Sequence, residues 1–181
     1  MPLTFAQSSE RYILNSIKDY LNTNIVVPYN TAVASTSYPN PLGIELERPA
    51  DPMTVPVFPL IVIRKLMSGR GDEPTGIGEG LVWKTKDFRF SFYPALTTQG
   101  KPEPEAEEIL RHYADWALGT ALFIPVYDYS QNQPYPIVEN IRVSNAKPVI
   151  PTHMPDIIMD YERYRFDYVF TGTYATLTIN G

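Results

Sequence analysis

The fold is decided by the stretch Phe88-Arg89-Phe90-Ser91-Phe92, in which every second residue is aromatic. Because side chains alternate between the two faces of a strand, this pattern predicts a strand with one buried aromatic face. The segment Tyr164-Arg165-Phe166-Asp167-Tyr168-Val169-Phe170 repeats the pattern near the end of the chain. Residues 103 to 123 between them have helical spacing, so the sequence predicts a half-buried sheet covered by a helix.

An apolar run, Leu60-Ile61-Val62-Ile63, precedes the first aromatic strand. It is apolar on both faces, which is typical of a central strand. A glycine-rich segment, residues 68 to 80, separates it from a predicted strand at residues 81 to 93. No crossover helix fits in this connection, so we expect the two strands to pair antiparallel around a long, flexible hairpin.

The sequence also predicts two amphipathic helices. The first covers residues 11 to 23 after a capping Ser8 or Ser9. Its apolar stripe consists of Ile13, Ile17, Tyr20 and Leu21. The second begins near Pro102, carries glutamates that complement the positive end of the helix dipole, and is ended by Pro125. Its predicted buried stripe, with Trp116 beside it, consists of Ala106, Ile109, Leu110, Tyr113, Ala117 and Ala121.

Alternation of apolar and polar residues further predicts a third strand at residues 138 to 146 and a fourth at residues 160 to 173. The tail, residues 175 to 179, is expected to add to a sheet edge, its own or a neighbour's. Proline-rich stretches predict ordered loops at residues 27 to 56 and 125 to 137. The first of these is expected either to reach a neighbouring subunit or to fold back on its own domain.

These elements predict an α+β fold in one domain, residues 1–181. Its core is a single, mainly antiparallel sheet of about four to five strands packed against two helices. Long loops rich in proline and glycine connect the elements at residues 27–56, 68–80 and 125–137. A chain of 181 residues is long enough to bury a substantial core of this kind.

Bulk composition excludes several classes of function. The net charge of −5 gives no electrostatic basis for gripping a nucleic-acid backbone, although an acidic surface suits a channel along which DNA slides. There are no cysteines, so disulfides and thiolate sites are excluded. The first residues lack the features of a signal peptide, and no apolar run reaches the length of a membrane span, so we expect no membrane association.

The sequence has little catalytic inventory, and we predict no catalytic residues, no cofactor and no metal. His112 and His153 have no partner at metal-ligand spacing. Asp156, Asp160 and Glu162 are close in sequence but do not fit a calcium loop, and we interpret Asp160 and Glu162 as the solvated start of a strand. The glycine-rich segment lacks a following helix and the GK[ST] motif of a phosphate loop.

Aromatic residues offer two alternatives to a purely structural interpretation. The alternation of phenylalanine and arginine around Phe90 is compatible with a platform for single-stranded nucleic acid, but burial of the aromatic face explains it more simply. The tyrosines at 127, 129 and 135, together with Trp83, are compatible with a surface that stacks on sugars. Packing within their own loop is the simpler alternative.

The order of elements resembles that of the tail terminator (tail completion) proteins of long-tailed bacteriophages. The resemblance rests on the capped helix at residues 11–23, the strand Pro59-Leu60-Ile61-Val62-Ile63-Arg64 and the helix at residues 105–123. The closing segment Tyr161-Glu162-Arg163-Tyr164-Arg165-Phe166-Asp167-Tyr168 completes it. The resemblance spans most of the chain. It concerns the order of the secondary-structure elements and includes no signature motif. The chain is larger than typical members, and the excess lies in the 27–56 and 126–136 loops.

The resemblance implies a structural virion protein that assembles into a ring, usually a hexamer, on the head-proximal end of the tail tube. Such a ring stops polymerisation of the tail tube protein. It also docks the finished tail tube to the head-to-tail connector or stopper protein. DNA passes through the lumen without specific binding, and no cofactor takes part. The protein is then located in the virion, in the tail or neck, after assembly in the host cytoplasm.

Exposed loops carry function more often than framework does, so we expect the subunit interface in two loops. The candidate residues are Arg70, Asp72 and Glu79 at the hairpin tip and Tyr127, Tyr129 and Tyr135 in the tyrosine-rich loop. Two alternatives stay open. One is another neck, connector or baseplate component, and the other is a small carbohydrate- or ligand-binding module.

Overall fold

The structure is a computed structural model that describes residues 9–38, 42–46, 59–65, 75–77, 81–99, 101–120, 123–125, 127–128, 133–134, 140–149 and 164–177. Its helical segments are α1 (Ser9–Leu21), a π turn (Asn22–Val26), α2 (Val27–Val33) and α3 (Pro104–Thr120). Its strands are β1 (Gly43–Leu46), β2 (Leu60–Lys65), β3 (Thr75–Ile77), β4 (Leu81–Tyr93), β5 (Phe123–Pro125), β6 (Tyr127–Asp128), β7 (Gln133–Pro134), β8 (Asn140–Val149) and β9 (Phe166–Leu177).

The main sheet has the strand order β1-β2-β4-β9-β8-β5, and β3 pairs with β4 beside this path. Every pairing in it is antiparallel except that of β1 with β2. The predicted α+β class and mainly antiparallel sheet are confirmed. The four predicted strands correspond to β2, β4, β8 and β9, and the short strands β1, β3 and β5 enlarge the sheet to seven.

The aromatic faces of β4 and β9 lie together beneath the helices, as predicted. The register places Phe90 opposite Tyr168 and Phe92 opposite Phe166. The rings of Phe92 and Phe166 stack with centroids 5.0 Å apart, and all four side chains are buried. Apolar residues of α1, α2 and α3 join the same buried cluster, so this sheet face is the floor of the main core.

The first helix is longer than the sequence predicted. The interpretation of residue 23 as its end, and of residues 27 onward as a loop, was wrong, because helical backbone continues through the π turn and α2 to Val33. A buried stripe runs along the whole length, with one apolar residue at every fourth position: Ile13, Ile17, Leu21, Ile25, Tyr29 and Val33.

The π turn explains how the stripe and Pro28 fit in one helix. In an α-helix of 3.6 residues per turn, a spacing of four drifts by about 40° per step, so the stripe would leave the core. A π turn inserts an extra residue and reverses part of this drift. The π turn ends with a hydrogen bond from the Val27 N–H to the Asn22 carbonyl oxygen, five residues earlier. Pro28 follows directly and lies in the first turn of α2. A proline is tolerated in a first turn because the N–H group that it lacks would have no intrahelical partner there.

The second helix, α3, packs over the sheet as predicted but is shorter than residues 103–123, and it ends at Thr120. Its buried side chains are Ala106, Leu110, Ala114, Ala117 and Leu118. Ile109 and Tyr113 are only partly buried, and the predicted Ala121 lies outside the described residues. The Arg111 guanidinium stacks over the Phe166 ring at 4.1 Å, and the Tyr168 hydroxyl donates a hydrogen bond to Asp115. The helix is therefore tied to β9 by polar contacts as well as by packing.

The predicted loops contain regular structure. The 27–56 segment includes α2 and β1, the 68–80 segment includes β3, and the 125–137 segment includes the ribbon of β6 and β7. The third predicted strand extends to Val149 across Pro148. A proline is tolerated there because β5 pairs only with residues 140–142 of β8, which leaves the outer side of Pro148 without a ladder among the described residues.

The tail prediction agrees with the structure for residues 175–177, which add to the chain's own sheet. They do so as the end of β9, which runs without interruption to Leu177 and pairs with β4 as far as Leu81. The start of β9 at Phe166 is later than the predicted residue 160. Residues 160–163 and 178–179 lie outside the described residues.

The opposite face of the sheet carries a second, smaller group of buried residues. Leu60, Val62 and Tyr93 form an apolar cluster of their own. Ser91 and Asp167 are buried beside them, directly opposite each other on β4 and β9. Polar and apolar side chains therefore share this face, in contrast to the aromatic face.

Burial raises the pKa of Tyr29 to about 12, and its hydroxyl has no hydrogen-bond partner among the described residues. We expect Tyr29→Phe to leave the fold intact and to raise the free energy of unfolding at neutral pH by about 1 kcal/mol, because it removes an unsatisfied buried group. The raised pKa also means that stability is complete below pH 10 and falls as the pH rises toward 12. The variant should lose less stability in that range. Urea denaturation at pH 7 and at pH 11 measures both effects.

Tyr20→Phe is the matched control, since the Tyr20 hydroxyl donates to the Ala117 carbonyl oxygen at 2.8 Å. This change should lower stability by about 1 kcal/mol at neutral pH. A Tyr29→Phe protein that is as destabilised as the control would contradict the described environment of Tyr29.

Candidate assembly surface

Within the described residues, the strand order ends at β1 on one side and at β5 on the other. An outermost strand presents backbone N–H and C=O groups on its open side, and these groups pair readily with another chain. Both strands are short, which is one way in which proteins limit unwanted pairing. The two end strands of the sheet are therefore candidate sites for contacts between copies of the chain.

Two large aromatic side chains are exposed, one in the last turns of α3 and one in β5. Trp116, on α3, and Phe123, on β5, are each 56% exposed. Phe123 and Pro125 point outward on either side of the buried Ile124. Phe123 follows the last residue of α3, Thr120, by three positions, so their Cα atoms are at most roughly 11 Å apart. We call Trp116, Phe123, Pro125 and the open backbone of β5 the β5 edge surface.

The β5 edge surface has the chemistry of a protein interface. Tryptophan and phenylalanine are enriched in interface centres because each buries a large apolar area with few rotatable bonds. Exposed backbone beside them supplies directional hydrogen bonds. Val27, the third exposed large hydrophobic residue among the described residues, lies where the π turn meets α2 and is 54% exposed. It offers a comparison site of similar exposure but much smaller apolar area.

The described residues do not test the six predicted interface residues as a group. Arg70, Asp72 and Glu79 lie outside the described residues, as do Tyr129 and Tyr135. Only the backbone of Tyr127 is described, in β6, where it pairs with Pro134. The interface prediction for these residues therefore stays a prediction.

The β5 edge surface itself was missed by the sequence analysis. Phe123 was assigned to the end of the second helix, and Trp116 was interpreted only as a neighbour of the buried stripe. The run Phe123-Ile124-Pro125 carries a usable signal, because a proline directly after residues that favour strands is typical of an edge strand.

The described residues contain no group of three or more histidine, cysteine or acidic side chains placed to hold a metal ion. His112 is exposed on α3 and contacts the Tyr113 ring edge-on, with centroids 5.5 Å apart. His153, Asp156, Asp160 and Glu162 lie outside the described residues. Among the described helices, none is long and apolar enough to cross a bilayer.

The acidic start of α3 is fixed to the segment after α2. The Tyr38 hydroxyl donates a hydrogen bond to Glu105, which raises the pKa of Tyr38, and burial and the negative charges of Glu105 and Glu103 raise it further. Glu107 accepts two hydrogen bonds from Arg111 one turn later, at 2.9 and 2.7 Å. Glu108 is exposed on the same turn. The first turn of α3 therefore has a fixed position and presents negative charge to solvent.

Comparison with known proteins gives no family assignment: no protein-family model and no curated protein matches the sequence.

Replacing Trp116 by alanine tests the role of the β5 edge surface. Because Trp116 is largely exposed and alanine favours helix, we expect the free energy of unfolding to change by less than about 0.5 kcal/mol. Self-association should weaken clearly, since an interface anchor is lost. Sedimentation velocity over a range of concentrations measures the second effect, and urea denaturation measures the first.

Val27→Ala serves as the control, because it also shortens an exposed apolar side chain on a helix. It should leave self-association unchanged. If Trp116→Ala and the control associate alike, the β5 edge surface is not an interface.

Proposed function

We propose that this chain is a structural subunit that closes into a ring, most simply a hexamer, on the head-proximal end of a bacteriophage tail tube. The ring ends polymerisation of the tube and provides a docking face for the head-to-tail connector. Neither a bond-making step nor a cofactor is part of this proposal. Its starting point is the resemblance in element order to tail terminator proteins.

The observation that carries the proposal is the β5 edge surface, with an open strand and two aromatic side chains that are 56% exposed. An isolated subunit leaves this apolar surface in water, which favours association. A second copy that covers it through a different patch gives a head-to-tail contact, and such contacts close into a ring when the rotation between copies divides a full turn. Ring closure then leaves no copy with this surface open.

Charge supports the same role. The net charge of −5 gives the subunit no general attraction for DNA, and several copies around a lumen add their negative charges. Repulsion from the DNA backbone then keeps the passage free of tight binding. A ring through which DNA passes needs this property.

Purified protein tests the proposal in two steps. Light scattering coupled to size-exclusion chromatography should give the mass of a closed oligomer, and negative-stain electron microscopy should show rings with a central opening. Added to polymerising tail tube protein from the same phage, the protein should bind one end of each tube and stop its growth. Tube length then falls as the ratio of this protein to tube protein rises.

The Trp116→Ala variant is a control for the tube experiment, since a subunit that does not close into rings should not stop growth. Rings that bind a different part of the particle would assign the chain to another neck or baseplate position. A protein that stays monomeric and leaves tube length unchanged would contradict the proposal.

A further inference from the structure

The sheet face opposite α3 carries arginines on neighbouring strands. In the register of β2 and β4, Arg64 is directly opposite Arg89. One step further along, Ser91 of β4 is directly opposite Asp167 of β9. Arg165 lies two residues before Asp167, so three guanidinium groups surround this part of the face. Like charges directly opposite each other in a sheet are destabilising unless an anion lies between them.

The carboxylates of this face do not neutralise all three arginines. Asp167 is buried and is shared by two of them, with Arg165 Nε 3.0 Å from its Oδ1 and Arg89 Nε 3.9 Å from its Oδ2. Asp87 accepts a hydrogen bond from Thr171 at 2.6 Å. Glu45 on β1 takes part in an interaction of its own. Within the described residues, no carboxylate accepts a hydrogen bond from the Arg64 Nε.

Arg64 and Arg89 are both placed to receive an outside anion. The Nε atom of Arg64 is buried and has no hydrogen-bond acceptor among the described residues. The Arg89 side chain is 35% exposed, while Ser91, two residues along the same face of β4, is fully buried and its hydroxyl has no hydrogen-bond partner among the described residues. The two guanidinium groups therefore lie where the covered part of the face meets solvent. A carboxylate fits them because arginine donates two parallel hydrogen bonds to such a group.

The same chain offers a matching anion on the other side of the sheet. The first turns of α3 present Glu105 and Glu108 to solvent, at the positive end of the helix. Neither can reach the arginines of its own subunit, because α3 packs on the aromatic face and the arginines lie on the reverse face. A cationic and an anionic patch on opposite sides of one subunit suit a head-to-tail contact, in which each copy donates one patch to each neighbour.

We propose that the Arg64–Arg89 pair of one copy binds the glutamates at the start of α3 of the next copy, with Glu108 as the principal partner. This inference rests on the proposed ring and gives it a direction around the circle. The contact fixes which side of each subunit meets its neighbour. The β5 edge surface then supplies apolar area and the ion pair supplies orientation.

Charge reversal tests the contact without a new ligand. Arg64→Glu and Glu108→Arg should each weaken ring formation by at least about tenfold in apparent dissociation constant, because each places like charges at every interface. An equimolar mixture of the two variants should assemble again. In that mixture every interface of an alternating ring pairs opposite charges, and a ring with an even number of subunits accommodates the alternation. Native mass spectrometry resolves the composition of the mixed rings.

Lys18→Glu is the matched control, since Lys18 is exposed on α1 and belongs to neither patch. It should assemble like the unmodified protein. Thermal unfolding of the isolated variants checks that each is folded, and Arg64 is chosen over Arg89 because it makes no ion pair with Asp167.

The outcomes separate this inference from the proposed function. Unmodified protein that forms no ring contradicts the proposed function and the contact with it. Rings formed equally well by both single variants contradict the contact alone. Single variants that fail to assemble and are not restored by mixing also contradict it, because the two residues then do not face each other across the interface.

Discussion

The register between β4 and β9 is the constraint on which the rest of the structure depends. The two strands pair over twelve residues, from Leu81 opposite Leu177 to Phe92 opposite Phe166. A shift of one residue would turn the phenylalanines to the face that now holds Ser91 and Asp167. The same register places the aromatic residues on the core face and therefore leaves Arg64 and Arg89 together on the opposite face. Core, helix position and candidate contact residues are thus set together.

The helices follow from the apolar area that this register creates. The aromatic face is covered by α3, whose buried residues include the small Ala106, Ala114 and Ala117 and whose backbone comes closest to the π turn and α2. It is also covered by the long first helix, whose stripe stays in register with the core because the π turn adds a residue. Tyr20 and Ala117 connect the two helices by a hydrogen bond. The small side chains of α3 and the π turn of the first helix therefore both help to cover the aromatic face of the sheet.

Much of this fold is predictable from sequence because the spacing of apolar residues along its strands and helices is regular. Alternation around Phe90 and the apolar run at Leu60 give the central strands and their antiparallel pairing. The continuation of the first helix was not predicted, because Pro28 indicates a break when only α-helical hydrogen bonding is considered. The spacing of four that reaches Ile25, Tyr29 and Val33 contains the missing signal. It points to a helix that turns more slowly than 3.6 residues per turn, which a π turn provides.

The candidate site was less predictable than the fold. Prediction favoured the loops, whereas the β5 edge surface combines a helix residue with a three-residue strand that joins a sheet formed by distant segments. Whether Phe123 is exposed depends on the pairing of β5 with β8, which local sequence does not specify. The Arg64–Arg89 pair likewise arises from register between strands about twenty-five residues apart. Edges and cross-strand pairs are properties of the assembled sheet, so sequence patterns alone indicate them weakly.

The central claim is that a rigid sheet core carries an open edge that closes only between copies. Hydrogen exchange followed by mass spectrometry, on the protein when dilute and when assembled, tests it most directly. The account predicts slow exchange in β4 and β9 in both states, and added protection on assembly at the end of α3 and in β5. Equal exchange at the β5 edge in the two states, or fast exchange throughout β4, would contradict it.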